Sequence, residues 1–350
     1  MESYTNGYTI IENHQIKSNN CVNQTQALVG TIVTLSYLAL IIAMSITCNI
    51  INLIMIYKTT LLHNRNNILI AHLAIVDLLT AVTVLPLAIS YTLLRNQMPP
   101  WTCQTFAFLS QFLDSISVFN TLAISIDRCI AVTSPYYYSQ YWTVKILKYE
   151  IVILWVMPIL ICIWPLLKIT DLPLGQFEYL PRAAQCWINF RQNYNFISSL
   201  TIITVMTSTF FIIILCYIII FIVAYGKNIR NPPNIRNLKK SIRTTTLIVG
   251  ANIVCWLPIL ITSWLSFTQP QRNYPANIDK ISLMLCYSHT AFNPVIYSIT
   301  NRILRNKLKR IAKMRRALIV PTSELVTTPY PLRRPHPAMA ISSSAIPIQT

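Results

Sequence analysis

Three aspartates interrupt long apolar runs: Asp77 in NILIAHLAIVDLLTAVTVLP, Asp114 in FLDSISVF, and Asp127 at the end of that second run. A carboxylate among hydrocarbon is costly, so each marks a candidate site rather than ordinary packing. Asn49, Asp77 and Asn293 fall at comparable depth on three separate runs. Together they suit either a water or cation held between helices, or a satisfied polar network that only fixes packing. Asp127-Arg128-Cys129 closes its run, where an arginine beside an acid can be pinned in one state and released toward a partner in another. Pro258 in Cys-Trp-Leu-Pro and Pro294 in Asn-Pro-Val-Ile-Tyr each delete a backbone N–H in mid-run and so place kinks. Trp256, beside the first kink, is suited to couple an outer cavity to movement of an inner half.

The elements that hold these residues follow from composition. Of the 350 residues, 54% are hydrophobic and 11% charged, a balance that calls for lipid as the solvent. A crossing helix needs about 20 mostly apolar residues, and seven stretches qualify, approximately 28–57, 67–94, 103–134, 147–167, 195–224, 240–267 and 279–299. The expected fold is an all-α membrane protein, a seven-transmembrane helix bundle with a short amphipathic eighth helix. Residues 1–27 form a polar extracellular tail with no signal-peptide pattern, 28–300 the bundle, 301–316 an amphipathic cytoplasmic helix, and 317–350 a Pro/Ser/Thr-rich disordered tail. Ile303, Leu304, Leu308 and Ile311 share one face of the eighth helix among cations, which suits the inner leaflet.

If successive loops alternate sides, twenty-one of the 28 Lys and Arg lie on the side of the carboxyl terminus, so that side is cytoplasmic and the amino terminus is outside. The net charge of +18 clusters at helix ends, which points to anionic lipid headgroups and an intracellular partner, not nucleic acid. Cys103 and Cys186 fall on outward-facing segments and can meet in an oxidising space. Asn23-Gln24-Thr25 is a glycosylation acceptor on that same side.

Taken in order, Asn49, Leu-Ala-Ile-Val-Asp77, Cys103 with Ser-Ile-Asp127-Arg128-Cys-Ile-Ala-Val, Trp155 with Pro165, Tyr217, Cys-Trp256-Leu-Pro258 and Asn293-Pro294-Val-Ile-Tyr297 place one mark on each successive span. Over residues 28 to about 316 the chain resembles the rhodopsin-like, class A family of G-protein-coupled receptors. The resemblance implies a plasma-membrane receptor for an extracellular ligand that activates a heterotrimeric G protein. It implies a Cys103–Cys186 disulfide and activation and coupling roles for Asp127, Arg128, Tyr217, Trp256, Pro258, Asn293, Pro294 and Tyr297. It also implies an interior sodium pocket at Asp77, Ser117 and Asn293, with no other cofactor or metal, and arrestin recruitment by phosphorylation at Ser323, Thr327, Thr328 and Ser342 to Ser344. The chain departs from the family pattern at Cys129, Thr209, Asn252 and His289, and at Leu238, where an acid would lock Arg128.

The candidate ligand pocket comprises Ser110, Asp114, Trp256 and Tyr287. The position at which amine receptors carry their ammonium-pairing Asp is Ser110 here, and Asp114 lies on the same helical face one turn deeper. Two ligand classes stay open: a small amine reaching Asp114, or a peptide held by outer groups such as Glu178, Tyr179, Arg182, Trp187 and Phe190. Light sensing is disfavoured because Lys280 is too near the outer end of its span for a retinal Schiff base. An ion or proton transporter with Asp77, Asp114 and His289 as a relay is the alternative from another class, but no repeats are visible. Nucleophile-elbow, phosphate-loop and HExxH motifs are absent from the sequence, so an enzyme has nothing to stand on.

Overall fold

The computed structural model describes residues 2–94, 97–142, 144–167, 174–191, 195–226, 235–270, 275, 277–307 and 309–310, with side chains assigned over most of them. The long helices are α1 (Glu2–Tyr57), α2 (Arg65–Leu94), α3 (Pro100–Thr133), α5 (Val144–Cys162), α7 (Phe196–Gly226), α8 (Ile235–Thr268) and α9 (Asn277–Thr300). Short helices α4 (Pro135–Tyr141) and α6 (Trp164–Leu167) flank α5. Among the described residues, five long helices are apolar enough over their length to cross a membrane: Ala27–Tyr57 within α1, α2, α3, Phe196–Val223 within α7 and Ile242–Thr268 within α8. The other two expected spans, α5 and α9, are helical over 19 and 24 residues.

Each expected span is a helix, but the boundaries move. Helix α1 starts at Glu2, well ahead of the apolar run, so backbone read as a tail is helical; side chains before Thr25 are not described, and Asn23 is among them. The fourth span breaks at Ile163, where α5 ends and α6 begins. The purely helical expectation also missed a hairpin. Strands β1 (Phe177–Leu180) and β2 (Gln185–Ile188) pair antiparallel with Tyr179 opposite Cys186. Cys186 is joined to Cys103, in the first turn of α3, across a sequence separation of 83, and that tie holds the hairpin against the helix end. The turn between the strands carries Ala184 at φ 54°, a left-handed conformation unusual for a residue with a Cβ.

Helix α3 is the central element, packing against α2, α5, α7, α8 and both strands, while α1 packs between α2 and α9. The outer core gathers Val84, Leu85, Tyr91, Phe106, Ile116 and Tyr287 with the hairpin's Cys186 and Ile188. A second cluster joins Val118, Phe210, Ile213, Val249 and Trp256. Polar groups bridge helices where lipid offers no alternative partner. Trp155 Nε1 donates to His72 Nε2 at 2.9 Å, which makes His72 Nδ1 the protonated nitrogen. That nitrogen donates to Asn120 Oδ1 at 3.2 Å, and Asn120 Nδ2 donates to the Leu69 carbonyl at 3.0 Å. This chain staples α2, α3 and α5 together.

Prolines lie inside α2, α5, α8 and α9 at Pro86, Pro158, Pro258 and Pro294. Pro294 has no N–H for the carbonyl four residues back, that of Thr290. Helix α1 supplies the missing donors: Asn49 Nδ2 and Ser45 Oγ reach the Thr290 carbonyl at 3.1 and 3.2 Å. Asn52 Nδ2 donates to the Pro294 carbonyl itself at 2.9 Å. Beyond α9, Asn301 caps a further helical turn, its Oδ1 accepting from the Ile303 and Leu304 backbone N–H at 3.1 and 3.2 Å. Residues 302–307 are helical; Leu308 and everything from Ile311 on, including the expected phosphorylation sites, lie outside the described residues.

Candidate functional site

A cavity of about 410 Å³ opens among the outer ends of the helices and the hairpin. Its wall includes Asp114, Trp187, Phe190, Trp256, Asp279 and Cys286. Size and lining are those of a small-molecule site: mostly apolar and aromatic, with a few polar groups to orient a ligand. Asp114 is only 3% exposed, and its Oδ1 has no hydrogen-bond partner among the described residues. Trp256 Nε1 and both polar atoms of Gln111 are likewise buried without protein partners. Such groups are expensive to leave unmatched, and for Asp114 and Trp256 the cavity they line explains why they persist.

Of the four pocket residues expected from sequence, Asp114 and Trp256 reach the cavity wall. Ser110 and Tyr287 do not line it; both are fully buried, at 0% and 1% exposure. Tyr287 donates to Gln185 Oε1 at 2.9 Å, so it closes the cavity from behind by holding β2 against α9. The physical reason is the hairpin, which inserts Gln185 where the sequence alone left an open face. Of the five outer residues considered for a peptide, Arg182, Trp187 and Phe190 reach the wall, whereas Glu178 and Tyr179 are not among its lining.

Asp77, Ser117 and Asn293, from α2, α3 and α9, are buried at 0%, 1% and 4% exposure. Asn293 turns its Nδ2 to Asp77 Oδ2 at 2.9 Å, and its Oδ1 accepts from Asn252 Nδ2 at 2.6 Å. His289 places Nε2 3.6 Å from the other Asp77 oxygen, Oδ1, and its ring centroid is 5.3 Å from that of Trp256. The space lined by Asn49, Asn52, Asp77 and Asn293 measures only about 10 Å³. Asn252 was expected only as a departure from the family pattern, and His289 as a departure or a relay member; here they carry the contacts that tie α8 and α9 into the core.

At the opposite end of α3, Asp127 is fully buried and saturated. Arg65 Nε donates to its Oδ1 at 2.8 Å, Arg128 Nε to its Oδ2 at 3.0 Å, and the Tyr138 hydroxyl to its Oδ1 at 3.2 Å. Arg128 Nη2 also donates to the Tyr138 hydroxyl at 3.0 Å. Arg65 continues to Glu150 on α5, and its guanidinium lies 4.9 Å above the Trp142 ring. Burial pushes the Tyr138 hydroxyl up to about 12, with Arg128 opposing the shift, so it stays a neutral donor at any physiological pH. The sequence reading counted Arg65 as a topology cation only. The available signal was the pairing of Arg65 and Glu150 at the borders of two spans, opposite an acid known to be at that depth.

Of the other expected activation residues, Tyr217 packs with the cluster around Trp256, and the Tyr297 hydroxyl donates to Asn67 Oδ1 at 3.2 Å. Pro258 and Pro294 lie inside α8 and α9 as expected.

With this geometry in place, similarity to known proteins identifies the class. The 7 transmembrane receptor (rhodopsin family) pattern matches residues 48–297. The chain belongs to that family: it is a class A G-protein-coupled receptor, a membrane protein and not an enzyme. Among its relatives are dopamine receptor 1 of Drosophila melanogaster, 26% identical over 83% of this chain and 64% of the relative, and trace amine-associated receptor 5 of Rattus norvegicus, 28% identical over 79% and 84%. Melatonin receptor type 1A of Mus musculus is 26% identical over 77% of each.

Proposed function

We propose that this receptor sits in the plasma membrane with its amino terminus outside, binds a small amine in the outer cavity, and activates a heterotrimeric G protein at the cytoplasmic ends of its helices. One observation carries the ligand class: a buried carboxylate, Asp114, faces a cavity of ligand size with one oxygen unpartnered. An ammonium group satisfies that oxygen by a charge-assisted hydrogen bond, strengthened because water is largely excluded. Trp256, Trp187 and Phe190 supply ring faces that attract a cation or stack on an aryl group. The kinship with amine receptors supports the same reading.

The ammonium would lie one helical turn deeper than Ser110, so the ligand must be slim at its charged end. Trp256 forms part of the same wall next to Pro258, and occupancy there biases the inner half of α8. Arg128, released from Asp127 and Tyr138, is the group offered to the G protein, and Tyr217 and Tyr297 rearrange with it. Membrane lipids contact the outer helix faces and the basic turn after Asn301; a phosphorylated tail recruits arrestin.

The test is a panel of small amines and short peptides applied to cells reporting cAMP and calcium. Activation by an amine that Asp114→Asn abolishes at normal surface expression supports the proposal. Activation by peptides alone, lost when residues 171–191 are swapped but indifferent to Asp114, overturns the ligand class while leaving the receptor reading intact.

A further inference from the structure

We propose that His289 takes the place of an alkali cation beside Asp77, so that sodium does not bind in the core of this receptor. The residues that the family resemblance nominates for such an ion do not fit one here. A hard cation is held by oxygen atoms turned toward it. Asn293 instead turns its N–H toward Asp77, and its oxygen is taken by Asn252 at 2.6 Å. The free side of Asp77, Oδ1, faces a nitrogen, His289 Nε2, at 3.6 Å. The adjoining space of about 10 Å³ admits no more than a single water, without the shell an alkali ion keeps.

The orientation of the imidazole is fixed, not incidental. His289 Nδ1 lies 2.5 Å from the Cys286 carbonyl, and a carbonyl only accepts, so Nδ1 carries a hydrogen. Trp256 covers the ring from α8. Nε2 is thereby aimed at Asp77, and among the described residues neither of these two facing atoms has a hydrogen-bond partner. The imidazole therefore occupies the side of Asp77 from which an ion would have to approach. Asn252 and His289 act jointly: the first occupies the asparagine oxygen, the second the carboxylate.

This inference requires no ligand and is independent of the amine reading. Purified full-length receptor in detergent is melted in sodium chloride and in choline chloride at equal ionic strength and neutral pH. The wild type is expected to show the same midpoint in both salts. His289→Ser, which clears the space and restores a small oxygen donor, is expected to gain a sodium-specific rise of about 2–4 °C that a further Asp77→Asn removes. If His289→Ser does not fold, His289→Asn serves the same arm. A saturable sodium-specific rise in the wild type that Asp77→Asn abolishes would overturn the proposal. So would the absence of any sodium effect in both the wild type and the folded His289 variant, because histidine would then not be what keeps the ion out.

Discussion

Helix α3 carries two buried aspartates thirteen residues apart, and their surroundings are opposite. Asp114, at the cavity, has an oxygen that nothing among the described residues satisfies. Asp127, near the other end of α3, is met by two guanidinium groups and a phenol from α2, α3 and α4. The same residue type in the same helix thus sits in two settings: one carboxylate is left incomplete beside a cavity, and the other is completed by contacts that tie α2, α3 and α4 together. Stability is given up at the first and recovered at the second, as sites that bind or switch generally require.

The strongest way to break this comparison is to remove Arg65. Arg65→Ala leaves Asp127 and Glu150 without their shared cation, and loss of one partner from a buried pair costs about 3 kcal/mol even with Arg128 and Tyr138 still present. A lower melting midpoint is expected, with higher ligand-independent nucleotide exchange on a G protein. Arg65→Lys should recover little, since an ammonium cannot bridge both carboxylates as the guanidinium fork does.

Asp114→Asn should behave in the opposite way. Amine potency is expected to fall by about 10- to 100-fold, the worth of a charged hydrogen bond, while the melting midpoint stays level or rises because an unpartnered carboxylate has gone. Dose–response curves and thermal melts on one preparation decide this. A stability loss comparable to that of Arg65→Ala would erase the distinction between the two aspartates.

Tyr138→Phe gives the smallest change, about 1 kcal/mol, from one hydroxyl that serves both Asp127 and Arg128. It also has a pH signature. The hydroxyl's acidity is weakened from 10 to about 12 in the folded chain, so between those values the folded state binds more protons than the unfolded one. Stability therefore falls as pH rises through that window, and Phe should flatten that part of the pH–stability profile.

The bundle was legible because crossing a membrane imposes a length and a composition that nothing else imitates, so all seven helices appear near their expected places. The Cys103–Cys186 bond followed from family resemblance and is present. The hairpin was not legible: its strands are four residues each, and the disulfide and turn hold them more than any alternation does. Asp114, singled out as an acid deep in an apolar run, lines the cavity. Tyr287 and Ser110 were misplaced because helical phase alone cannot say which residues β2 will cover. Arg65 was passed over because a cation at a span border has an ordinary explanation in topology, and only three-dimensional contact shows it reaching back to Asp127.

The carbonyl of Thr290 accepts hydrogen bonds from Ser45 and Asn49, the donors that Pro294 denies it. The backbone accounting at Pro294 is therefore not a property of α9 alone. Asn49 Nδ2 also donates to the Ser45 carbonyl within α1 at 2.9 Å, so the two donors are held in place by their own helix before α9, made last, brings them the carbonyl they complete.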